Sequence, residues 1–575
     1  MPQFHFFLSK QNMKTKLFLV STFFLISIIS FSQINFQWAN TFGGTGDDYG
    51  FSITSDGAGN VYTIGTFQGT VDFDSSPSTL NLTSNGAEDI FVTKYNALGT
   101  LIWVKQLGGT GSDFGHSVFV DASGNIYITG SFETTVDFDP GASVYNLTSL
   151  GSSDIFICKL DASSNFVWAE QLGGTATDDA NSIFVDGGGN IYTTGFFTGT
   201  VDFDPSASTY NLTGVAGDIY VNKLDASGAL IWAKSMGGTS ADIGQSITVD
   251  AADNVYLSGN FSATADFDPG TGVYNITSVG SRDIFVCKLD SSGSFLWANG
   301  IGGTSFDNDR ALSVDINGNV YSVGYFSGTV DFDPGAGVYN LTSASSPSSD
   351  IFINKFSSSG TFVWAKQIGG INVDSGFSLC LDNAGNVFTT GQFSGVVDFD
   401  PGVGVSNMTS IGSLDIFLSK LDTLGNFVGA ADFGGNGDEV GRSISADASG
   451  NIYIMGNFQD TVDFDPGATI NNFLSIGGQD VFVLKLHNSN VGIAETHALN
   501  NNITVYPNPN AGVFSIMSTS KISQIDVVNM FGEIIYTEKE NNEKPKINLS
   551  DQANGIYFVQ VISENVRFTK KIVKE

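Results

Sequence analysis

Histidine and cysteine are nearly missing from this 575-residue chain, with four of the first and three of the second. Three of the histidines, His116, His487 and His497, lie beyond the N-terminal leader considered below. That scarcity excludes His-rich metal sites and most nucleophile–base–acid sets. No Ser sits in a nucleophile elbow, and no glycine-rich loop has phosphate-binding spacing ahead of a helix. The cysteines, Cys158, Cys287 and Cys380, are too few and odd in number for a disulfide framework. Cys158 (DIFICKL) and Cys287 (DIFVCKL) hold the same place in a repeat two units apart. They are too distant to bond and read as small packing residues. Basic side chains are scarce as well: 24 Lys and Arg stand against 58 Asp and Glu, a net charge of -34. From Asn500 onward eight basic and eight acidic residues cancel, so the excess acid lies ahead of that point. An acidic body repels phosphate backbones, which argues against nucleic acid as a partner, and it favours solubility and attracts cations.

Long apolar runs are missing too, with one exception. Lys14 and Lys16 precede an apolar stretch from Leu17 to Ile29, and Ser30-Phe31-Ser32 offers small residues for cleavage. Residues 1–32 are expected to be a signal peptide cut before Gln33, with Met13 as the initiator, and no transmembrane segment is expected after cleavage. No Cys follows the cut, so no lipoprotein anchor is expected at this end.

What the chain has in abundance is self-similarity. Asp-Phe-Asp begins at Asp72, Asp137, Asp202, Asp266, Asp331, Asp398 and Asp463, at steps of 64 to 67 residues. Trp38, Trp103, Trp168, Trp232, Trp297 and Trp364 keep the same step, Gly429 fills the seventh place, and a Gly-Gly pair follows each. Within a copy the pattern is strand-like throughout. In the second, Ser117–Val120 turns through Asp121–Asn125 into Ile126–Thr129, and Asp154–Ile157 turns near Asp161 into Asn165–Trp168. A Gly just before Asn supplies the positive φ of a tight hairpin, and the Asp caps it. Four strands per copy without helical periodicity predict a β-propeller of seven blades over residues 33–486. The first copy opens with Ile34–Trp38, only a fourth strand, and the last stops at Asp480–Leu486, only a third. The two fragments are expected to pair and close the ring, removing its open edges.

The units, with VDxxGNxYxxG at Val120–Gly130 and DxFVxKLDxxGxxxW at Asp283–Trp297, resemble the β-propeller repeats of secreted bacterial proteins. That resemblance implies a fold and no general activity. A polar stretch, 487–502, reads as linker. Residues 503–575 then resemble the type A sorting domain of the type IX secretion pathway. The resemblance rests on Tyr506-Pro507-Asn508-Pro509, Gly512 and Phe514, Ile525–Asn529 with Gly532, Asn554-Gly555-Ile556-Tyr557, and Lys570-Lys571-Ile572-Val573-Lys574. It implies a small Ig-like β-sandwich that the type IX machinery reads as an address and clips off. It further implies a Bacteroidetes host and a cargo released or held at the outer surface. Short alternating strands between turn residues agree with that shape.

Carboxylates are the one candidate chemistry. Each Asp-Phe-Asp puts two acids on one face of a strand: Asp72 and Asp74, Asp137 and Asp139, Asp202 and Asp204, Asp266 and Asp268, Asp331 and Asp333, Asp398 and Asp400, Asp463 and Asp465. Another acid stands a few residues after each Gly-Gly, from Asp48 and Asp113 to Asp374 and Glu439. Such oxygens suit Ca²⁺, though the calcium loop of three alternating acids and Gly is absent. Pro after Asp-Phe-Asp in six copies favours turn capping instead. Paired-acid glycoside hydrolysis fits poorly, since the pair recurs in every copy. The Asn-x-Thr triplets, from Asn81 to Asn407, read as a strand of the repeat. His116 is expected in a solvated loop, where other copies carry Phe51, Asn181 or Gln245. Arg310 and Arg442 are expected as drift in acidic loops, and Ser346-Pro347-Ser348 as a loop insertion. The reading that results is an exported, non-enzymatic propeller binding glycan or protein, with no cofactor unless calcium. A secreted hydrolase of polysaccharide or peptide and a structural matrix component are the alternatives.

Overall fold

The computed structural model describes residues 33–467, 469–489, 503–518, 522–529, 534–541, 545–563 and 566–574. The expected leader, 1–32, and residues 490–502 of the expected linker lie outside them. Among the described residues every regular element is a strand. They fall into two compact units, divided between Ser489 and Asn490.

The second copy of the repeat shows how the first unit is built. Phe114–Val120 pairs antiparallel with Ile126–Phe132, that strand with Asp154–Leu160, and that with Phe166–Leu172. The inner strands Ile126–Phe132 and Asp154–Leu160 are buried almost throughout, because neighbouring sheets cover both faces. The first turn is closed by Asp121, whose Oδ1 accepts the Ser123 and Asn125 backbone N–H groups. Its Oδ2 accepts the Asn125 amide and the Tyr127 hydroxyl. Gly130 is required by a close approach: a Cβ there would stand 1.9 Å from the Phe114 carbonyl oxygen, where the first strand bulges between Gly115 and Ser117.

Between the second and third strands of each copy lies a short ribbon that ties adjacent sheets. Thr135–Asp137 pairs with Asn146–Thr148, and Asp137 and Val136 pair back onto Gly108 and Gly109 of the preceding sheet. Phe138 turns inward, buried at 5.3 Å from Phe132 and 5.0 Å from Phe156. The Gly-Gly is dictated by this crowding. A Cβ on Gly108 would meet the buried Asp89 carboxyl at 2.2 Å, and one on Gly109 would meet the Thr135 carbonyl oxygen at 2.2 Å. A second clasp uses the tryptophans. Trp38, Trp232, Trp297 and Trp364 each donate the indole N–H to a backbone carbonyl in the third-to-fourth-strand turn of the following sheet. Gly429 falls where this clasp has no target. The following sheet takes its fourth strand from the start of the chain, so the turn does not exist.

The first strands form a closed cycle of contacts, from Tyr49–Ser55 through Phe114–Val120, Asp179–Val185, Ile243–Val249, Asn308–Val314 and Ser375–Leu381 to Val440–Ala446, and back. Serine hydroxyls stitch the cycle: Ser52 Oγ accepts the Val118 N–H, and at the join Ser443 Oγ accepts that of Ile53. Gln33–Phe42 pairs antiparallel with Asp480–Ser489, as the chain ends predict. That last strand runs three residues into the expected linker, because Gln33–Asn35 supplies partners for His487–Ser489. One core, including Phe42, Phe73, Phe91, Met455 and Val483, spans the join.

The C-terminal unit consists of two antiparallel sheets. One holds Ile503–Tyr506, Val513–Ser518 and Lys546–Asn548; the other holds Ile534–Asn541, Ile522–Val528, Gly555–Ser563 and Val566–Lys574. Phe514, Ile516 and Ile547 from the first meet Ile525, Val527, Val559 and Ile572 from the second in a shared core.

Candidate functional site

The Asp-Phe-Asp acids are engaged with backbone. Oδ1 of the first acid in each pair (Asp72, Asp137, Asp202, Asp266, Asp331, Asp398, Asp463) accepts two N–H groups, for Asp137 those of Asp139 at 3.1 Å and Tyr145 at 2.8 Å. The second acid (Asp74, Asp139, Asp204, Asp268, Asp333, Asp400, Asp465) accepts the N–H two residues on. These bonds close an exposed hairpin. Among the described residues no three Asp, Glu, His or Cys side chains converge as a metal-ligand set.

The acids after Gly-Gly lie deeper. Asp113 is fully buried and accepts the N–H groups of Gly109 at 2.7 Å and Glu133 at 3.1 Å. Burial pushes its pKa up to about 7, against the pull of those two bonds and with the Asp89 charge adding to the rise. The same happens at every junction, with Asp48 pushed to about 7 and Glu439 to about 8. These acids seal one sheet to the next.

The sorting-motif residues are brought together across the C-terminal unit. Tyr506, Pro507, Asn508 and Pro509 are exposed. Asn508 nonetheless donates its amide to the Lys571 carbonyl at 2.9 Å and accepts the Val573 N–H at 2.8 Å, so the first and last motif segments touch. Gly512 takes φ +99°. Its N–H is held by the Asn510 side chain. Tyr557 is buried, and its hydroxyl bonds the Ala553 carbonyl. Gly555 opens the strand Gly555–Ser563. Lys570 is half-buried and Lys571 exposed on the last strand. Gly532 lies outside the described residues.

The inner face of the cycle holds what the sequence did not reveal. In each copy the first strand carries one bulge, and the extra residue is Phe51, His116, Asn181, Gln245, Arg310, Phe377 or Arg442. A bulge re-aims its side chain out of the sheet. These seven are half-buried. Five of them meet in sequence around the cycle. The Arg310 guanidinium lies 5.3 Å from the Phe377 ring, Arg442 lies 5.9 Å from Phe377 and 5.9 Å from Phe51, and Phe51 lies 5.2 Å from His116. Tyr49 and Tyr325 add two further faces beside Arg442 and Arg310.

The loop placements of His116, Arg310 and Arg442 are therefore corrected: all three stand on innermost strands. The bulge, Gly-x-Ser at His116 and Arg442 and Asp-x-Ala at Arg310, breaks the alternation of the strand, and so it reads as a turn. Burial works against the His116 imidazolium, but the Asp179 carboxylate 3.4 Å away raises its pKa on balance. The available signal was positional, one freely varying residue ahead of Ser or Ala in every copy, preceded by Gly or Ala in six copies and by Asp309 in the other.

Comparison with known proteins places two segments. Residues 504–575 match the secretion system C-terminal sorting domain, and residues 102–138 match the beta-propeller repeat. The chain is 24% identical over 504 residues to an uncharacterized WD repeat-containing protein of Acanthamoeba polyphaga mimivirus, covering 73% of this chain and 36% of that one. It is 25% identical over 228 residues to the regulatory protein FlaEY of Caulobacter vibrioides, covering 39% and 22%. It thus spans well under two thirds of either curated relative. Among solved structures, PorZ, a surface component of the type-IX secretion system of Porphyromonas gingivalis, is matched at 12% identity over 93% of this chain and 75% of that one, with a TM-score of 0.24. Sqt1 of Chaetomium thermophilum is matched at 9% identity over 79% and 100%, with a TM-score of 0.35. The chain carries a type IX sorting domain behind β-propeller repeats and is a secreted or cell-surface protein.

Proposed function

We propose that this protein is a non-enzymatic binding module of the outer surface or medium: a seven-bladed propeller delivered by its C-terminal Ig-like domain. The observation that carries this is the sorting-domain match over residues 504–575, which assigns the tail to export and leaves the ring as cargo. Residues 1–32 act as the signal peptide and Ile503 to Glu575 as the address, in a Bacteroidetes host. A binding role for the cargo, toward glycan or protein, is supported by the use of its acids. Those in the ribbons cap backbone, and those at the junctions are buried seals. The variable bulge residues sit on a scaffold that otherwise repeats, an arrangement suited to recognition.

The test is truncation. A chain lacking Ile503 to Glu575 is expected to lose its signal peptide, fold and stay in the periplasm, because among the described residues the ring takes no strand from the tail. The tail fused behind a signal peptide and a reporter is expected to send the reporter outside in a host with the pathway. Equal export of truncated and full chains refutes the assignment.

A further inference from the structure

Arg310 and Arg442 are anomalous in this chain. Of the seven bulge positions these two alone carry a permanent cation, in a protein with 58 acidic and 24 basic residues. Yet among the described residues neither forms an ion pair. Arg310 reaches only the Tyr325 hydroxyl, through Nη2 at 3.4 Å, and its buried Nε has no partner. Arg442 donates Nε to the Asn457 amide oxygen at 3.0 Å. The carboxyl nearest in sequence, Asp309, is buried, forms no ion pair with Arg310 and accepts the Ser258 hydroxyl; burial raises its pKa against the pull of its hydroxyl bonds and of the Arg310 charge. Burial also lowers the Arg442 pKa, and the Arg310 charge lowers it further, so the two cations oppose each other.

Nothing in the fold asks for this. The same position takes Phe, His, Asn or Gln in other copies, and the same bulge forms. A half-buried pair of cations without a counterion is destabilising unless something binds it. Guanidinium groups hold carboxylates and phosphates through paired N–H donors, and aromatic faces beside them receive a flat apolar body. Phe377, with a guanidinium near its ring from either side, and Phe51 supply such faces.

We propose that Arg310 and Arg442, with Phe377 between them, form a binding site on the inner face of the ring for a small oxyanion carried on a flat body. This deepens the binding role proposed above and rests on it for the ring that unites the two sheets. The test is calorimetric titration of the full chain with glucuronate, benzoate and inorganic phosphate, against Arg310→Gln, Arg442→Gln and the control Arg282→Gln. At least one probe is expected to bind saturably, at least tenfold more weakly in either bulge variant and unchanged in the control. The probe that binds distinguishes carboxylate from phosphate. Both bulge variants are expected to keep or raise the urea midpoint, since each relieves an unpaired charge. Absence of binding by all three probes, or binding indifferent to both substitutions, overturns the site. A neutral glycan captured on an array equally by wild type and both variants would also overturn it, while leaving the propeller's binding role standing.

Discussion

Ring closure rests on one noncovalent strand, and Phe42 is the place to load it. Phe42 ends the strand Gln33–Phe42, is buried, and packs against Phe73 at 4.9 Å and edge-on against Phe91 at 5.1 Å, both in the following sheet. Phe433 holds the same place, just before Gly-Gly, in a sheet whose four strands are continuous in the chain. Truncating either to Ala removes about 3–5 kcal/mol of packing. The consequences differ. Joining the ends of several hundred residues costs roughly 5 kcal/mol of loop entropy by (3/2)RT ln n, which the closing strand must outweigh by its own contacts. Phe42→Ala removes about 3–5 kcal/mol of the contacts that offset this cost. It should raise the open population at the join by roughly a hundredfold to several thousandfold, at about 1.4 kcal/mol per decade. Phe433→Ala should instead lower global stability and leave the join protected. The assay is hydrogen exchange read by mass spectrometry on peptides covering Gln33–Phe42 and Asp480–Ser489, beside urea melts of both variants. Equal protection of those peptides in the two variants would refute strand closure as the weak point.

Three further outcomes are expected. Gly360→Ala should cost about 2–4 kcal/mol in urea denaturation, from about 1–2 for a left-handed Cβ and the rest from overpacking, because Gly360 has φ +79° and its Cβ would lie 2.8 Å from the Trp297 ring; a loss under 0.5 kcal/mol would show the clasp to be slack. Stability should fall as pH rises from about 5 to 8, because the junction acids have folded pKa values raised to about 6 to 8, so their contribution is complete below the unfolded carboxyl range and is lost as they ionise; a urea midpoint higher at pH 8 than at pH 5.5 would contradict their burial. Chelation should barely move the midpoint if the Asp-Phe-Asp acids only cap turns, whereas a specific Ca²⁺ site would add about 2.7 kcal/mol at a hundredfold excess over its Kd; a large saturable shift with Ca²⁺ and not Mg²⁺ would refute turn capping.

Much of the ring was legible because its rules are local. Strand–turn–strand with Asp, Gly and Asn at fixed offsets needs only neighbouring residues, and the split ends at Ile34 and Leu486 announce their pairing. The Gly-Gly pair was visible but unexplained, since its cause is not local. Gly108 yields to Asp89 from the adjacent strand, and Gly109 to a carbonyl of the ribbon that crosses from the next sheet. The acid four residues on was legible as an acid but not as a buried seal, for the same reason. The bulge residues were misplaced because one inserted residue breaks the two-residue period on which strand reading depends.

The departures from the repeat separate into two kinds by mechanical necessity. Gly429 replaces Trp where the turn that would take the indole N–H is missing, so the geometry of closure accounts for it. The Ser346–Pro347 insertion lengthens a connection beside Ser327, whose hydroxyl bonds the Pro347 and Ser348 carbonyls, so it too is absorbed by the scaffold. Arg310 and Arg442 have no such account. They occupy a position whose backbone is the same in every copy and whose side chain varies from one to the next. They gather on one arc of the cycle around Phe377, and they leave a buried donor without an acceptor. In a ring of near-identical units, closure and packing constrain every copy alike. A difference that neither demands is therefore where selection for a ligand can be recorded, and here that difference is a pair of cations in an acidic protein.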